Sequence, residues 1–243
     1  ESGDSTFHEL MKITKLTDDS SWLIETADFT LVIDPWFTAQ QVDGHPCFSL
    51  QKRAETYGPF EFPKDKPLFI FVSHPFSDHC HKESLLTFPT ETVVIAEDRA
   101  LKKIRSWNYF AALKPIAKAP FLLEQLTKVS LLNQTHHAFI LHVEGKTLMY
   151  APHGVKSSQD LPRVDVLITT TTTYNLPFFL GGTVNLGLKE AKAVLNKTKS
   201  SVVLATHDQQ KESKGLVGWF AKPLYENEST FTRLLAGDSL SLA

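Results

Sequence analysis

The sequence predicts an α+β fold: one domain in which two mixed β-sheets lie between outer helices. Three observations lead there. Each half of the chain opens with antiparallel strand signals and passes into strand–helix alternation. No Pro/Gly/Ser-rich linker separates the halves. And 243 residues are enough for folding to remove about 70% of the chain's surface from water, so the core needs no covalent staples. With 42% apolar and 21% charged residues, the composition excludes a disordered chain, a collagen-like fibre or a long coiled coil.

In chain order, residues 11–16 read as a strand. Two more follow at 21–25 (Ser-Trp-Leu-Ile-Glu) and 29–33 (Phe-Thr-Leu-Val-Ile), rich in aromatic and branched residues and joined by a short turn. The meander ends at Asp34-Pro35, because proline cannot donate to a ladder. Residues 39–67, with Gly44, Pro46, Gly58, Pro59, Pro63 and Pro67, read as a long irregular loop that covers a site. Leu68 to Val72 is a continuous apolar run, hence a strand buried on both faces. A helix is expected over 82–88, a strand over 92–96, and a helix over 97–106 whose acidic residues precede its basic ones. Residues 107–130 carry no clear period. A hairpin is expected over 138–150 around Glu144-Gly145-Lys146, and a strand over 164–172 that absorbs most of a threonine run. An amphipathic helix over 185–197 and a buried strand over 201–205 complete the reading. Residues 1–10 read as a flexible terminus or tag remnant, and 11–243 as the domain.

Lys+Arg number 25 against 27 Asp+Glu, a net charge of −2, which is not the footprint of a nucleic-acid binder. The basic group Lys102, Lys103 and Arg105 reads as a solvated helix face. No run approaches the roughly 18 apolar residues of a spanning helix. With two cysteines, Cys47 and Cys80, both expected free, and no signal peptide visible, a cytoplasmic protein is expected. An organellar location after removal of a targeting segment is the alternative. The expected partner is a small molecule, not nucleic acid or membrane; oligomeric state is not encoded legibly.

The ten histidines matter through their placement. His74, Asp78 and His79 follow one buried strand, His153 a second and His207 a third, and strand ends are where α/β sheets place their sites. Imidazole with carboxylate suits zinc, with iron or manganese as alternatives. His8, His45 and His142 read as structural.

The order of these pieces resembles the metallo-β-lactamase superfamily. The resemblance runs over residues 11 to 220. It is carried by Ile13 to Leu16, Ser21 to Glu25, Leu31 to Pro35, the strand entering His74…Asp78-His79, the segment Leu148 to His153, and Ala205-Thr206-His207-Asp208. It implies an αββα sandwich with a metal site at the sheet edges. The family's first metal motif, His-x-His-x-Asp-His, reads His74-Pro75-Phe76-Ser77-Asp78-His79 here, so Phe76 replaces a ligand. The bridging-aspartate position falls at His153, the third-histidine position at His136 or His137, and the late histidine is His207. The resemblance therefore implies a reduced, mononuclear site. Asp78, His79 and His207 are its centre; His153, His74 and His137 complete the candidate ligand set.

Asp78 and His153 are the candidate catalytic residues, His153 as fourth ligand or as general base. The implied activity is metal-activated attack of water on an ester, lactone, amide or phosphoester. The competing expectation is a non-catalytic module of the same fold, with no metal or a structural one. Iron chemistry with Cys80 and His81 as added ligands is a third. Thr206 and Tyr174 are candidates to orient substrate, with packing as the stronger reading. Aromatic residues in the expected loops (Phe48, Phe60, Phe62, Trp107, Phe178, Phe179) point to an apolar or flat ligand.

Overall fold

The computed structural model describes residues 11–129 and 135–242. The expectation for residues 1–10 concerns residues outside that range.

The first sheet has seven strands in the order β18-β1-β2-β3-β6-β7-β8. Its members are β1 (Met11–Lys15), β2 (Trp22–Glu25), β3 (Thr30–Ile33), β6 (Leu68–Val72), β7 (Val93–Ala96), β8 (Leu113–Pro115) and β18 (Ser239–Leu242). Between β3 and β6 lie β4 (Gln40–Asp43) and β5 (Ser49–Lys52). The second sheet has the order β15-β12-β11-β10-β9, formed by β9 (Leu122–Val129), β10 (Thr135–Val143), β11 (Lys146–Ala151), β12 (Val166–Thr169) and β15 (Val202–Ala205). Both sheets are mixed in the same way. Antiparallel strands β1-β2-β3 lead into parallel β3-β6-β7-β8, and β9-β10-β11 lead into parallel β11-β12-β15.

Strand alternation explains the layering. Met11, Ile13, Trp22, Ile24, Leu31 and Ile33 of the first sheet face Phe139, Leu141, Leu148, Tyr150, Val166 and Ile168 of the second in one buried cluster. The opposite face of the first sheet (Val32, Ile70, Val72, Val94) packs on α1 (Lys82–Leu85) and α2 (Asp98–Arg105) through Leu85, Leu101 and Ile104. The opposite face of the second (Ile140, Met149, Leu167, Val203) packs on α3 (Gly187–Thr198) through Ala191 and Val194. The result is the αββα order of layers.

Several boundaries differ from the sequence reading for physical reasons. The 39–67 segment is not irregular throughout: β4 and β5 pair, and β16 (Glu212–Lys214) adds a third strand. Gln40, Gln41 and Gln51 gave these strands no apolar signature. The threonine run does not continue the strand: β12 stops at Thr169, and Thr170–Thr172 wrap the Asp208 carboxylate, which accepts from the backbone N–H of Thr171 and Thr172 and from the Thr170 hydroxyl. The chain then enters β13 (Thr173–Asn175), the centre of a small sheet with β14 (Thr183–Leu186) and β17 (Lys222–Leu224). α3 starts at Gly187 (φ 77°), where an added Cβ would sit 1.9 Å from Thr173 Oγ1. A fourth helix, α4 (Gly215–Phe220), follows β16. Helix α1 ends sooner than expected, and residues 107–129 supply β8 and β9. The hairpin turn has positive φ at Glu144 (51°) and Gly145 (72°), as a type I′ turn requires. No helix among the described residues is long and apolar enough to cross a membrane.

Candidate metal centre

The parallel strands of both sheets end on one seam. Asp34 follows β3, Ser73 and His74 follow β6, His153 lies two residues past β11, and His207 two past β15. Asp34 and His207 hold positive φ, 46° and 56°, which costs non-glycine residues energy and concentrates at functional sites. The loop after His74 turns tightly, with the Cys80 N–H donating to the Phe76 carbonyl, and so brings Asp78 and His79 back over the strand ends.

The donor atoms of Asp78, His79 and His207 all lie within 4.8 Å of one another, and so do those of His74, His79 and His153. His79 Nδ1–H donates to Asp34 Oδ2 at 2.7 Å, both side chains fully buried. That bond fixes the tautomer and leaves Nε2 facing the cluster, 3.8 Å from Asp78 Oδ1, buried and with no hydrogen-bond partner. His207 Nε2 lies 2.9 Å from Asp78 Oδ2, and its ring stacks on His79 with centroids 5.1 Å apart. Asn185 braces the other side: Oδ1 accepts from His153 Nδ1 at 2.7 Å, and Nδ2 points at His207 Nδ1 at 3.4 Å.

The charges are matched. Burial disfavours the Asp78 carboxylate, but His79 and His207 outweigh it and hold its pKa well below the usual range. Burial likewise opposes a charge on His79, yet the carboxylates of Asp78 and Asp34 push its pKa up to about 9. A carboxylate–imidazole pair with one inward-facing ring nitrogen is the arrangement by which proteins orient metal-ligating histidines. The buried, partnerless His79 Nε2 beside a second imidazole and an ionised carboxylate fits a divalent cation.

His74 and His137 are placed differently. His74 Nδ1 lies 2.8 Å from Ser73 Oγ, and its Nε2 accepts the His137 backbone N–H at 3.1 Å. His137 Nδ1 meets Gln125 Nε2 at 2.8 Å, and burial, helped by Arg99, pushes its pKa down to about 4. His137 joins neither donor group, and His74 joins one only by giving up a hydrogen bond. The side chain of His136 lies outside the described part of the structure. Phe76 lies nearly parallel to His74, ring centroids 6.3 Å apart.

The remaining candidates separate into supports and bystanders. His81 caps α1 through Ser84, and Cys80 is buried among the apolar contacts of that helix, where burial raises its thiol to about 12. Thr206 is packing: its hydroxyl accepts from Trp22 Nε1 and donates to the Asp19 carbonyl. Tyr174 lines the pocket. His45 is exposed, and His142 pairs with Glu124 at 3.2 Å. Lys102 and Arg105 are solvated, while Lys103 reaches the Pro75 carbonyl.

Sequence reasoning missed four residues. Asp34 also accepts from Tyr150 Oη and the Ser73 N–H; an Asp-Pro at a strand end was its only signal. Asn185 carried none, and Asp208 was marked only as the last residue of the segment Ala205-Thr206-His207-Asp208. Lys211, which pairs with the fully buried Asp19 at 2.7 Å, is set by tertiary structure alone.

Asp78, His153 and His207 form the floor of a pocket of about 910 Å³, its open mouth included. Phe48 reaches this pocket. Phe60, Phe62 and Trp107 instead pack with Phe37 and Phe88 against the outer face of the first sheet.

A profile of the β-lactamase superfamily domain matches residues 12–207. No curated protein matches the sequence. Solved structures share the fold at low identity. One is described as a possible metal-dependent hydrolase, from Veillonella parvula DSM 2008 (13% identity, TM-score 0.70, covering 96% of this chain and 100% of that one). Another is an isothiocyanate hydrolase from Delia radicum gut bacteria (16%, TM-score 0.58, 81% and 84%). A third is Igni18, a metallo hydrolase from Ignicoccus hospitalis KIN4/I (11%, TM-score 0.56, 96% and 98%).

Proposed function

The chain belongs to the β-lactamase superfamily, and from that premise we propose that it is a metal-dependent hydrolase of a small molecule, working with one ion. Asp78, His79 and His207 would hold the ion, zinc first among the candidates, with iron or manganese as alternatives. A bound divalent cation supplies polarisation of the scissile carbonyl or phosphoryl group and acidification of water toward neutral pH. The observation that carries the reading is the buried His79 Nε2, partnerless while Nδ1 is held by Asp34.

The chain's own residues divide the remaining work. Asp34 fixes the His79 ring. Asn185 orients His153, whose place on the pocket floor, outside the group formed by Asp78, His79 and His207, suits it to take a proton from attacking water and return it to the leaving group. The single-ion reading rests on Phe76 and on the hydrogen bonds already made by both ring nitrogens of His74.

The test is elemental analysis of the chain purified without chelator, beside an Asp78→Ala/His207→Ala variant, with hydrolysis assays on esters, lactones, amides and phosphoesters. About one ion per chain is expected in the parent and none in the variant. No ion after reconstitution with each metal overturns the reading and leaves a non-catalytic binding module of this fold.

A further inference from the structure

Charge and apolar surface are unevenly spread over the pocket above the centre. Among its described lining residues the cation is Lys211, and its Nζ is already 2.7 Å from the buried Asp19 carboxylate. Asp43 and Asp78 are the acidic lining residues. Away from the ion, a phosphate, sulfate or second carboxylate would find no uncommitted lysine or arginine among those residues and would face Asp43. The apolar part of the lining is Phe48, Phe76, Leu176, Leu180, Val184 and Val217.

That apolar wall continues outward. The turn carrying Leu180 also carries Phe178 and Phe179, 67% and 68% exposed, and Phe220, 41% exposed, follows Val217 by three residues on the same helix face. Phe179 and Phe220 bridge the two segments, ring centroids 5.8 Å apart in a T-shaped pair. Exposed aromatics gathered beside a pocket are costly in water and mark a binding groove or an interaction face. Their continuity with Leu180 and Val217 points to the groove.

We propose that the substrate is an uncharged carboxylic ester or amide with an extended apolar acyl or aryl group. Its scissile bond lies over Asp78, His153 and His207, and its apolar part runs past Leu180 and Val217 to the rim at Phe179 and Phe220. The proposal rests on the hydrolase reading and narrows its substrate class. The reaction is redox-neutral: water oxygen bonds to the acyl carbon, the acyl C–O or C–N bond breaks, and a proton from the water passes to the departing alcohol or amine.

The experiment uses the full chain loaded with its metal. kcat/KM is measured for p-nitrophenyl acetate, butyrate and octanoate and for bis-p-nitrophenyl phosphate. Binding of 2-decanone, an uncharged carbonyl compound that cannot be hydrolysed, is compared calorimetrically with binding of 9-oxodecanoate, the same ketone with a carboxylate at its far end. A gain of about two- to fourfold per added methylene is expected. The phosphodiester should be the poorest substrate, and 2-decanone should bind more tightly than 9-oxodecanoate. Phe179→Ser/Phe220→Ser should cost octanoate about tenfold more than it costs acetate.

Flat chain-length dependence, or preference for the phosphodiester or for 9-oxodecanoate, overturns the substrate class and leaves the hydrolase reading standing. Rim-dependent binding of 2-decanone with no turnover of any ester, amide or phosphoester overturns the hydrolase reading while the pocket's preference stands. A rim variant that changes oligomeric state or vesicle binding but neither octanoate turnover nor ketone binding overturns the groove and makes the rim an interface.

Discussion

Asp34 Oδ2 sits 2.7 Å from His79 Nδ1, and neither side chain is exposed to solvent. The carboxylate also accepts from Tyr150 and Ser73, so its position is fixed from three directions. Asp34→Asn removes the charge that holds the His79 tautomer. Metal affinity should fall about 10- to 100-fold by chelator competition, with far-ultraviolet circular dichroism retained. Unchanged affinity would show that His79 is not a ligand.

The proton on His79 competes with the ion. Because the carboxylates raise its pKa from 6.5 to about 9, the metal-free chain carries that proton through neutral pH, and binding a cation must release it. Affinity should therefore climb with pH up to about 9, by at most about tenfold per unit for one released proton. Chelator competition at several pH values measures this, and a flat profile excludes His79.

Phe76→His restores the ring that the superfamily motif places there, but His74 remains hydrogen-bonded at both nitrogens. Metal titration of this variant should still saturate at about one ion per chain. Two tightly bound ions would overturn the single-ion reading.

His153→Gln separates ligand from base. If His153 handles protons, metal content stays unchanged while kcat drops about 10²- to 10⁴-fold and the pH–rate profile loses one limb. Loss of metal instead would make His153 a ligand.

Lys15 tests the core. The residue is 2% exposed, and its ammonium lies 4.0 Å above the Trp22 ring and donates to the Asp19 carbonyl and to Thr206 Oγ1. Burial lowers its pKa from 10.5 to about 7 despite the pull of Asp19. Between those values the unfolded chain binds a proton that the folded chain does not, so stability rises with pH across that window and the penalty is complete below it. At about 1.4 kcal/mol per unit the full effect is of order 5 kcal/mol. Lys15→Met should be more stable than the parent at pH 6, with the difference shrinking toward pH 10; denaturant titrations at both values decide it.

The layers were legible because alternation and periodicity come from burial: Leu68 to Val72 and the Ala191/Val194 stripe each announce the surface they meet. Asp78, His79, His153 and His207 could be grouped because each follows a strand, and the topology brings those ends together. What the chain hides is whatever depends on distant partners. Asn185 reaches the centre from an edge strand, and Lys211 matters only because Asp19 is behind it. The small sheet of β4, β5 and β16 was invisible because its glutamines and charges match loop composition. His137, at a family position, lies outside both donor groups because it is held in a hydrogen-bond network with Gln125 and His74, partners that are distant in sequence.

The residues of the centre come from opposite halves of the chain: Asp78 and His79 from the first sheet, His207 from the second, with Asp78 and His207 separated by 129 positions. An ion seated there is a rivet between two independently layered halves. It cannot template folding early, since the seam exists only after both sheets have docked, and ring closure over so long a stretch is slow to be rewarded. Once seated, it couples the fates of the two sheets. The loaded chain should melt as one cooperative unit, whereas the stripped chain is free to open along the seam first.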